Sequence, residues 1–274
     1  MRYTKAENVE AAASAVANGA VPLAGGTILV PAIARCEHQD HTFVDISGLA
    51  ALTRIETTDS LLLLGSMVTL DGLASAAAKH NGTPARRALF QAAQAVGNPQ
   101  VRRSGTIGGN IAAGVATVDV YPALLALEAQ VTSLHGGTSE TVPISELSTA
   151  GRLITTIQVP TDGETRSAFR KFAWRASAGI TLANVAVCLR IRDAAILSAR
   201  IVVGGVSARA QRLAKAEQLL ADKPANQWTR DLIDEAARIG SMEATCDLPA
   251  PPSPEYRRRL IAAGVRETLS EILL

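Results

Sequence analysis

Three glycines within five residues, Gly105, Gly108 and Gly109 in Ser104-Gly-Thr-Ile-Gly-Gly-Asn-Ile111, are the residues here best suited to take a ligand against the backbone. Glycine admits positive φ and lets another group approach the main chain closely. Thr106, Asn110 and consecutive N–H groups turned into one concavity would cradle an anion such as phosphate. A tight strand-to-strand turn without a ligand is the alternative for this stretch taken alone. A second glycine pair, Gly25-Gly26, lies between the apolar Val21-Pro-Leu-Ala24 and Thr27-Ile-Leu-Val-Pro-Ala-Ile33. Strand, glycines, then helix start is the order that aims backbone donors at a phosphate. The chain has no Gly-Lys-Ser/Thr P-loop and no G-x-G-x-x-G, so a nucleotide here would be held in neither of those ways. Together the two stretches could grip a diphosphate from two sides.

Other candidates are single residues. Asp119 is the one carboxylate in the apolar run Ile111 to Pro122; it could accept hydrogen bonds from ribityl or ribose hydroxyls, or cap a helix before Pro122. Lys171, in an expected strand, could sit beside an electron-rich ring or a phosphate, or simply face solvent. Cys36-Glu-His-Gln-Asp-His41 has the look of a metal cluster, but no second ligand pair accompanies it. Nucleophile elbows, Cys/His pairs, H-E-x-x-H helices and usefully spaced carboxylate pairs are absent from the sequence. Any redox or transfer chemistry would then be carried by a cofactor.

Composition narrows the class. The 274 residues suffice for two domains, and 47% hydrophobic with only 3% aromatic residues implies a core of Ala, Val, Leu and Ile. A formal charge of +2 gives no reason to expect nucleic acid. Three widely spaced cysteines, Cys36, Cys188 and Cys246, fit a reducing compartment and cannot supply a four-cysteine cluster. Ala11 to Gly19 resembles a signal segment, but Glu7 and Glu10 interrupt it and Asn18-Gly19 reads as a helix stop. No apolar run approaches a membrane span. A soluble, cytoplasmic protein is expected.

The elements that must position these residues follow from capping and periodicity. Thr4 with Glu7 reads as a capping box opening a helix to about Asn18. Thr42–Ile46 is expected as a strand, and Leu52–Thr57 with Ser60–Gly65 as a hairpin around Thr58-Asp59. Thr69 caps a helix with Gly82 beyond its end, and another runs from about Ala85 to Val96. A buried helix at Pro122–Leu127 precedes strands at 130–134, 141–144 and 153–160. The polar stretch Thr161-Asp-Gly-Glu-Thr165 is taken as a boundary. Domain one is then 1–165, with subdomains of about 1–54 and 55–165, and domain two is 166–274. In the second, strands at 169–174, 183–191 (turning at Asp193-Ala194) and 196–203 precede helices at 212–220, 229–242 and 253–273, an α+β pattern.

These residues carry a resemblance. Ala24-Gly-Gly-Thr-Ile-Leu-Val-Pro31 and Gln100-Val-Arg-Arg-Ser-Gly-Thr-Ile-Gly-Gly-Asn-Ile-Ala112 resemble the two FAD-binding signatures of molybdenum hydroxylase flavoprotein subunits. These are the medium subunits of carbon monoxide, xanthine and nicotine dehydrogenases and related aldehyde oxidoreductases. Leu64-Gly-Ser-Met-Val-Thr69, Asp119 to Leu127, Leu153-Ile-Thr155, Val203 to Arg212, Ala216-Glu217 and Tyr256 to Leu260 extend it over nearly the whole chain. The resemblance implies a two-subdomain, PCMH-like FAD-binding domain followed by a three-stranded antiparallel sheet with a three-helix bundle. It implies that Ala24, Gly25, Gly26, Thr27, Ile28, Leu29 and Val30, with Thr106, Ile107, Gly108, Gly109 and Asn110, hold the FAD diphosphate and ribityl chain. Asp119 would meet sugar hydroxyls, Leu153 or Ile154 the adenine or ribose end, and Lys171 the flavin. Three positions depart from the family: Ile28 for a polar residue, Val96 for a Phe in some relatives, and Gly179 for an Asp.

The function so implied is an oxidoreductase subunit. It would pass electrons from [2Fe-2S] clusters of a small partner subunit to a terminal acceptor, while a large subunit holds molybdopterin and the substrate. That assembly would be a heterotrimer, with further dimerisation open. A stand-alone FAD-dependent oxidoreductase and a cofactor-free assembly module are the alternatives.

Overall fold

Asn8, not Thr4, opens the first helix: its side chain accepts a hydrogen bond from the Ala11 N–H at 2.8 Å. Thr4 instead lies in a strand, Arg2–Lys5, whose residues pair in parallel with Thr42–Asp45. The expected helix from Thr4 is corrected accordingly. The four strand residues are all exposed, so no alternation of buried side chains announces them. The computed structural model describes residues 2–37, 40–58, 60–79, 83–175 and 179–274. The expectations for His38, Asp59 and Gly82 therefore fall outside the described residues.

In order, the chain runs β1 (Arg2–Lys5), α1 (Val9–Ala17), β2 (Val21–Leu23), α2 (Leu29–Ala34), β3 (Thr42–Asp45), β4 (Ile55–Thr57), β5 (Leu61–Gly65) and α3 (Leu70–Lys79). Four helices follow: α4 (Arg87–Ala95), α5 (Pro99–Ser104), α6 (Ile107–Ala112) and α7 (Val120–Ala126). Next come β6 (Gln130–His135), β7 (Thr138–Pro143), β8 (Leu153–Pro160), β9 (Thr165–Ala173), β10 (Thr181–Arg192), β11 (Ala195–Gly204) and β12 (Gln211–Arg212). Helices α8 (Ala214–Leu220), α9 (Arg230–Glu243) and α10 (Pro254–Leu273) end the chain. Contacts divide it into two interleaved units: Met1–Leu73 with Pro99–Ala113 and Glu128–Pro160, and Ala74–Asn98 with Gly114–Leu127 and Thr161–Leu274.

The first unit holds two sheets: a parallel β1-β3-β2 and an antiparallel β4-β5-β8-β6-β7. Ala12, Ala13 and Val16 of α1 pack with Val44, Leu52, Met67 and Leu153 in its core. Small alanines suit a helix lying close on a sheet, because packing density is kept without long side chains.

Within the second unit, residues 165–274 form the expected antiparallel sheet and helices, with a two-residue fourth strand added: the sheet order is β12-β11-β10-β9. Central β10 is covered on both faces, as its near-continuous apolar run requires. Ala183, Val185, Val187 and Leu189 meet the core formed with α8, α9 and α10. Ala186 meets Ala88 and Ala92 of α4 and Ala123 and Ala126 of α7. The β10–β11 turn is Asp193-Ala194, both at positive φ (49° and 56°), as a two-residue hairpin loop demands.

Candidate functional site

The two glycine stretches touch in the first unit. A Cβ at Gly25 would lie 1.7 Å from the carbonyl oxygen of Ser104, and one at Gly105 would lie 3.4 Å from Thr27 Oγ1. At Gly108 it would lie 2.7 Å from Ser66 Cβ. Gly109 differs: among the described residues outside its own helix backbone, a Cβ there would meet Thr106 Oγ1 alone, at 3.0 Å. Gly25 and Gly108 thus serve close backbone packing, whereas Gly109 presents an open face.

The second stretch is helical where a loop was expected. Thr106 caps α6 through the Gly109 N–H, and Gly105, Gly108 and Gly109 are not among the positive-φ residues. The amides of this turn are already used. Ile107 N–H donates to Val68 O, Gly108 N–H to Ser66 O, and Asn110 N–H to Thr106 O, each at 2.9 Å. At 107–110 the expected concavity of free amides is therefore not found: those donors serve the fold.

Free donors lie in the first stretch. Among the described residues, the N–H groups of Gly25, Gly26, Thr27, Ile28 and Leu29 have no protein acceptor; Val30 N–H donates to Gly26 O at 2.9 Å. Gly26 has φ 68°, the left-handed conformation that alternates with right-handed neighbours in anion nests. Ala24 leads into this turn half-buried, and Ile28 and Val30 are exposed. Three orphaned polar atoms in the same unit ask for partners: Asn110 Oδ1 and Ser66 Oγ, on residues 8% and 3% exposed, and Arg152 Nη1. A buried polar atom without a partner costs about 1–3 kcal/mol. Leu153 and Ile154 are buried in β8, Leu153 within the apolar core.

In the second unit, strand pairing brings the remaining candidates together. Asn184 of β10 stands opposite Lys171 of β9 and opposite Gly204 of β11, so all three share one sheet face. Gly204 leaves room there: a Cβ on it would meet Asn184 Oδ1 at 2.6 Å and Pro122 Cγ at 2.7 Å. A one-residue bulge lies between Thr181 and Ala183. Plain alternation would send Thr181 to the face opposite Asn184; the bulge re-aims it.

Asp119, at the start of α7, receives all of these groups. It makes no cap hydrogen bond. Its Oδ2 accepts from Lys171 Nζ at 2.6 Å, and its Oδ1 accepts from Thr181 Oγ1 at 2.8 Å and Asn184 Nδ2 at 3.0 Å. Lys171 Nζ also donates to the Ala95 carbonyl at 2.9 Å, at the last residue of α4. Burial pushes the Asp119 carboxyl above its usual range, against the opposing pull of Lys171, Asn184 and Thr181.

Thus residues 24–30 and 106–110 come together in one unit, and Asp119 and Lys171 are directly paired in the other. Sequence reasoning missed Ser66, Thr181, Asn184 and the Ala95 carbonyl. Asn184 was findable, as a lone amide in the buried run Leu182 to Leu189. The residues present fit a dinucleotide such as FAD: open amides at 25–29, an unpartnered side-chain carbonyl oxygen at Asn110, and an open Gly109 face.

Comparison with known proteins agrees. Residues 1–162 match the model of the FAD binding domain in molybdopterin dehydrogenase, and 167–272 match the carbon monoxide dehydrogenase flavoprotein C-terminal domain. The nicotine 6-hydroxylase medium subunit of Paenarthrobacter nicotinovorans is 29% identical over 91% of this chain and 88% of its own length. Carbon monoxide dehydrogenase from Hydrogenophaga pseudoflava, solved without the Mo-pyranopterin moiety, superposes with a TM-score of 0.85 at 25% identity over 98% of this chain and 96% of that one. Quinoline 2-oxidoreductase from Pseudomonas putida 86 shares the fold, with a TM-score of 0.87 at 20% identity over 100% and 96%. Among the described residues, no helix is long and apolar enough to cross a membrane.

Proposed function

This chain belongs to the family of FAD-binding domains in molybdopterin dehydrogenases, and on that premise we propose that it is the electron-transfer subunit of a molybdenum-containing hydroxylase or dehydrogenase. Bound FAD would supply the redox chemistry that links [2Fe-2S] clusters in a small partner subunit to a terminal acceptor. A large partner subunit holds the molybdopterin and the substrate.

The chain's own residues bind and orient. The amides of residues 25–29 hold the diphosphate, and Asn110 Oδ1 accepts from a ribityl hydroxyl. The bare Gly109 face admits the cofactor, Leu153 or Ile154 lies toward its adenine end, and Lys171 lies toward the flavin. The observation that carries this reading is the contact of Gly25 with Ser104 beside five amides without protein acceptors. Donors arranged before the ligand arrives cost no reorganisation on binding.

The absorption spectrum of the purified chain, alone and with whatever co-purifies, tests this. Flavin bands with co-purified molybdenum and iron are expected. A colourless chain would sink the reading, and substrate oxidation by the isolated chain would favour a stand-alone oxidoreductase.

A further inference from the structure

We propose that Trp174, Ile180 and Tyr256 form a docking surface in the second unit for a partner subunit that presents an apolar socket rimmed by carboxylates. The proposal rests on the reading of the chain as one subunit of a larger complex. Aromatic residues make up only 3% of the chain, yet one of its two tryptophans, Trp174, is 56% exposed. Ile180 is 67% and Tyr256 46% exposed. A large apolar side chain left in water forgoes its burial free energy, and contiguous exposed apolar groups mark interaction sites.

Strand and helix geometry gather the three residues. Trp174 N–H donates to Ile180 O at 3.4 Å, one step beyond the Ala173–Thr181 pair, so the two side chains stand opposite each other on one face. Alternation along β9 puts Trp174 on the face of Arg170 and Phe172. That face lies under α10. Phe172 packs against its core, a Cβ on Gly264 would meet the Phe172 ring at 3.1 Å, and Arg170 pairs with Glu267 and Glu271 at 3.0 and 3.1 Å. From Arg170 to Phe172 the facing position on α10 thus steps back toward the helix N-terminus, and Trp174 lies further that way. Spacings of three and four residues put Tyr256, Leu260, Ala263, Glu267 and Glu271 on one flank of α10, the flank that reaches β9. Tyr256 heads that flank at the end where Trp174 and Ile180 stand. Arg257, on the buried side, ties this end of α10 to β10 by donating to Leu182 O.

Charge selects the occupant. In the chain next to these residues, Arg175, Arg258 and Arg259 are opposed by one carboxylate, Glu255. A second copy docked about a twofold axis would set this basic patch against itself, because such an interface is self-complementary. A partner with carboxylates around an apolar socket meets the cations and takes the aromatic side chains, the residue types that anchor protein interfaces.

The test is dissociation of the assembled complex on dilution, read by mass photometry, with the full chain co-expressed with its partner subunits. Trp174→Ala is expected to weaken assembly about thirtyfold or more, while the isolated variant keeps the melting temperature and FAD content of wild type. Ile180→Ser, on the opposite strand, is expected to act in the same direction and serves where Trp174→Ala does not fold. Arg259→Glu is expected to weaken assembly about tenfold at low salt and less at high salt. Trp174→Ala and Ile180→Ser complexes that dissociate as wild type does would overturn the proposal, as would tighter assembly of Arg259→Glu. An isolated wild-type chain that dimerises, and ceases to do so as Trp174→Ala, would make a second copy the occupant and overturn it as well. A wild-type chain that assembles with no other subunit would instead refute the reading of it as part of a complex.

Discussion

Replacing Gly25 and Gly109 separately by alanine distinguishes a glycine needed by the fold from one needed by the ligand. At Gly25 the new Cβ falls 1.7 Å from Ser104 O, 2.6 Å from Ser104 C and 3.1 Å from Gly105 Cα. All three are backbone atoms, and no rotamer relieves the clash, so the two stretches must separate. Overpacking of this kind costs about 3 kcal/mol or more, which lowers the apparent Tm by roughly 6–12 °C in a chain of this size. At Gly109 the new Cβ meets only Thr106 Oγ1, at 3.0 Å, inside a helix. The helix-propensity gain of alanine over glycine, about 0.8–1 kcal/mol, offsets that one tight contact, so stability should change little. FAD affinity should nonetheless fall, because the methyl fills the open face. Differential scanning fluorimetry and flavin fluorescence titration of both variants read the two quantities apart. If Gly109→Ala binds FAD as wild type does, or Gly25→Ala melts with it, the assignment of roles fails.

Two further outcomes are expected. Asn8→Ala should destabilise the chain by about 1 kcal/mol in urea unfolding through loss of the α1 cap, while Thr4→Ala should stay within about 0.5 kcal/mol; the reverse ranking would restore Thr4 as the cap. For Asp45, burial raises the carboxyl, but the Tyr3 hydroxyl at 2.6 Å, the Ser47 hydroxyl and N–H, and the Lys5 charge outweigh it and hold it below its usual range. A carboxyl lowered on folding stabilises above its unfolded pKa, and that contribution is lost as pH falls through the folded value. Urea midpoints of wild type should therefore fall more steeply with acidification below about pH 4 than those of Asp45→Asn, and parallel curves would refute this.

Much of the architecture was legible because local chemistry set it. Asp193-Ala194 turns β10 into β11, Thr229 and Ser253 cap α9 and α10 through the N–H groups of Leu232 and Tyr256, and apolar runs mark β8 through β11. What escaped is non-local. The exposed β1 exists because Arg2 to Lys5 pair with residues about forty positions away, which no local pattern encodes. The helical form of 107–112 was hidden because glycine is a poor helix former, and tertiary bonds from Ile107 and Gly108 to Val68 and Ser66 override that preference. The bulge at Thr181–Ala183 depends on the β9 partner and leaves no trace in β10 alone.

The glycines also show why a signature motif overstates the ligand's share. Gly25, Gly105 and Gly108 are hemmed in by Ser104, Val101 and Ser66 within 3 Å of where a Cβ would stand, so the fold would require them with or without a cofactor. Ligand demand leaves a different mark: donors and acceptors kept from internal partners despite burial. By that criterion the groups of the first unit left for a ligand are the amides of 25–29, Asn110 Oδ1 and, outside both glycine stretches, Ser66 Oγ and Arg152 Nη1. Accounting for unpaired polar groups therefore separates glycines that the fold requires from groups that await a ligand, a distinction that residue type and spacing cannot make.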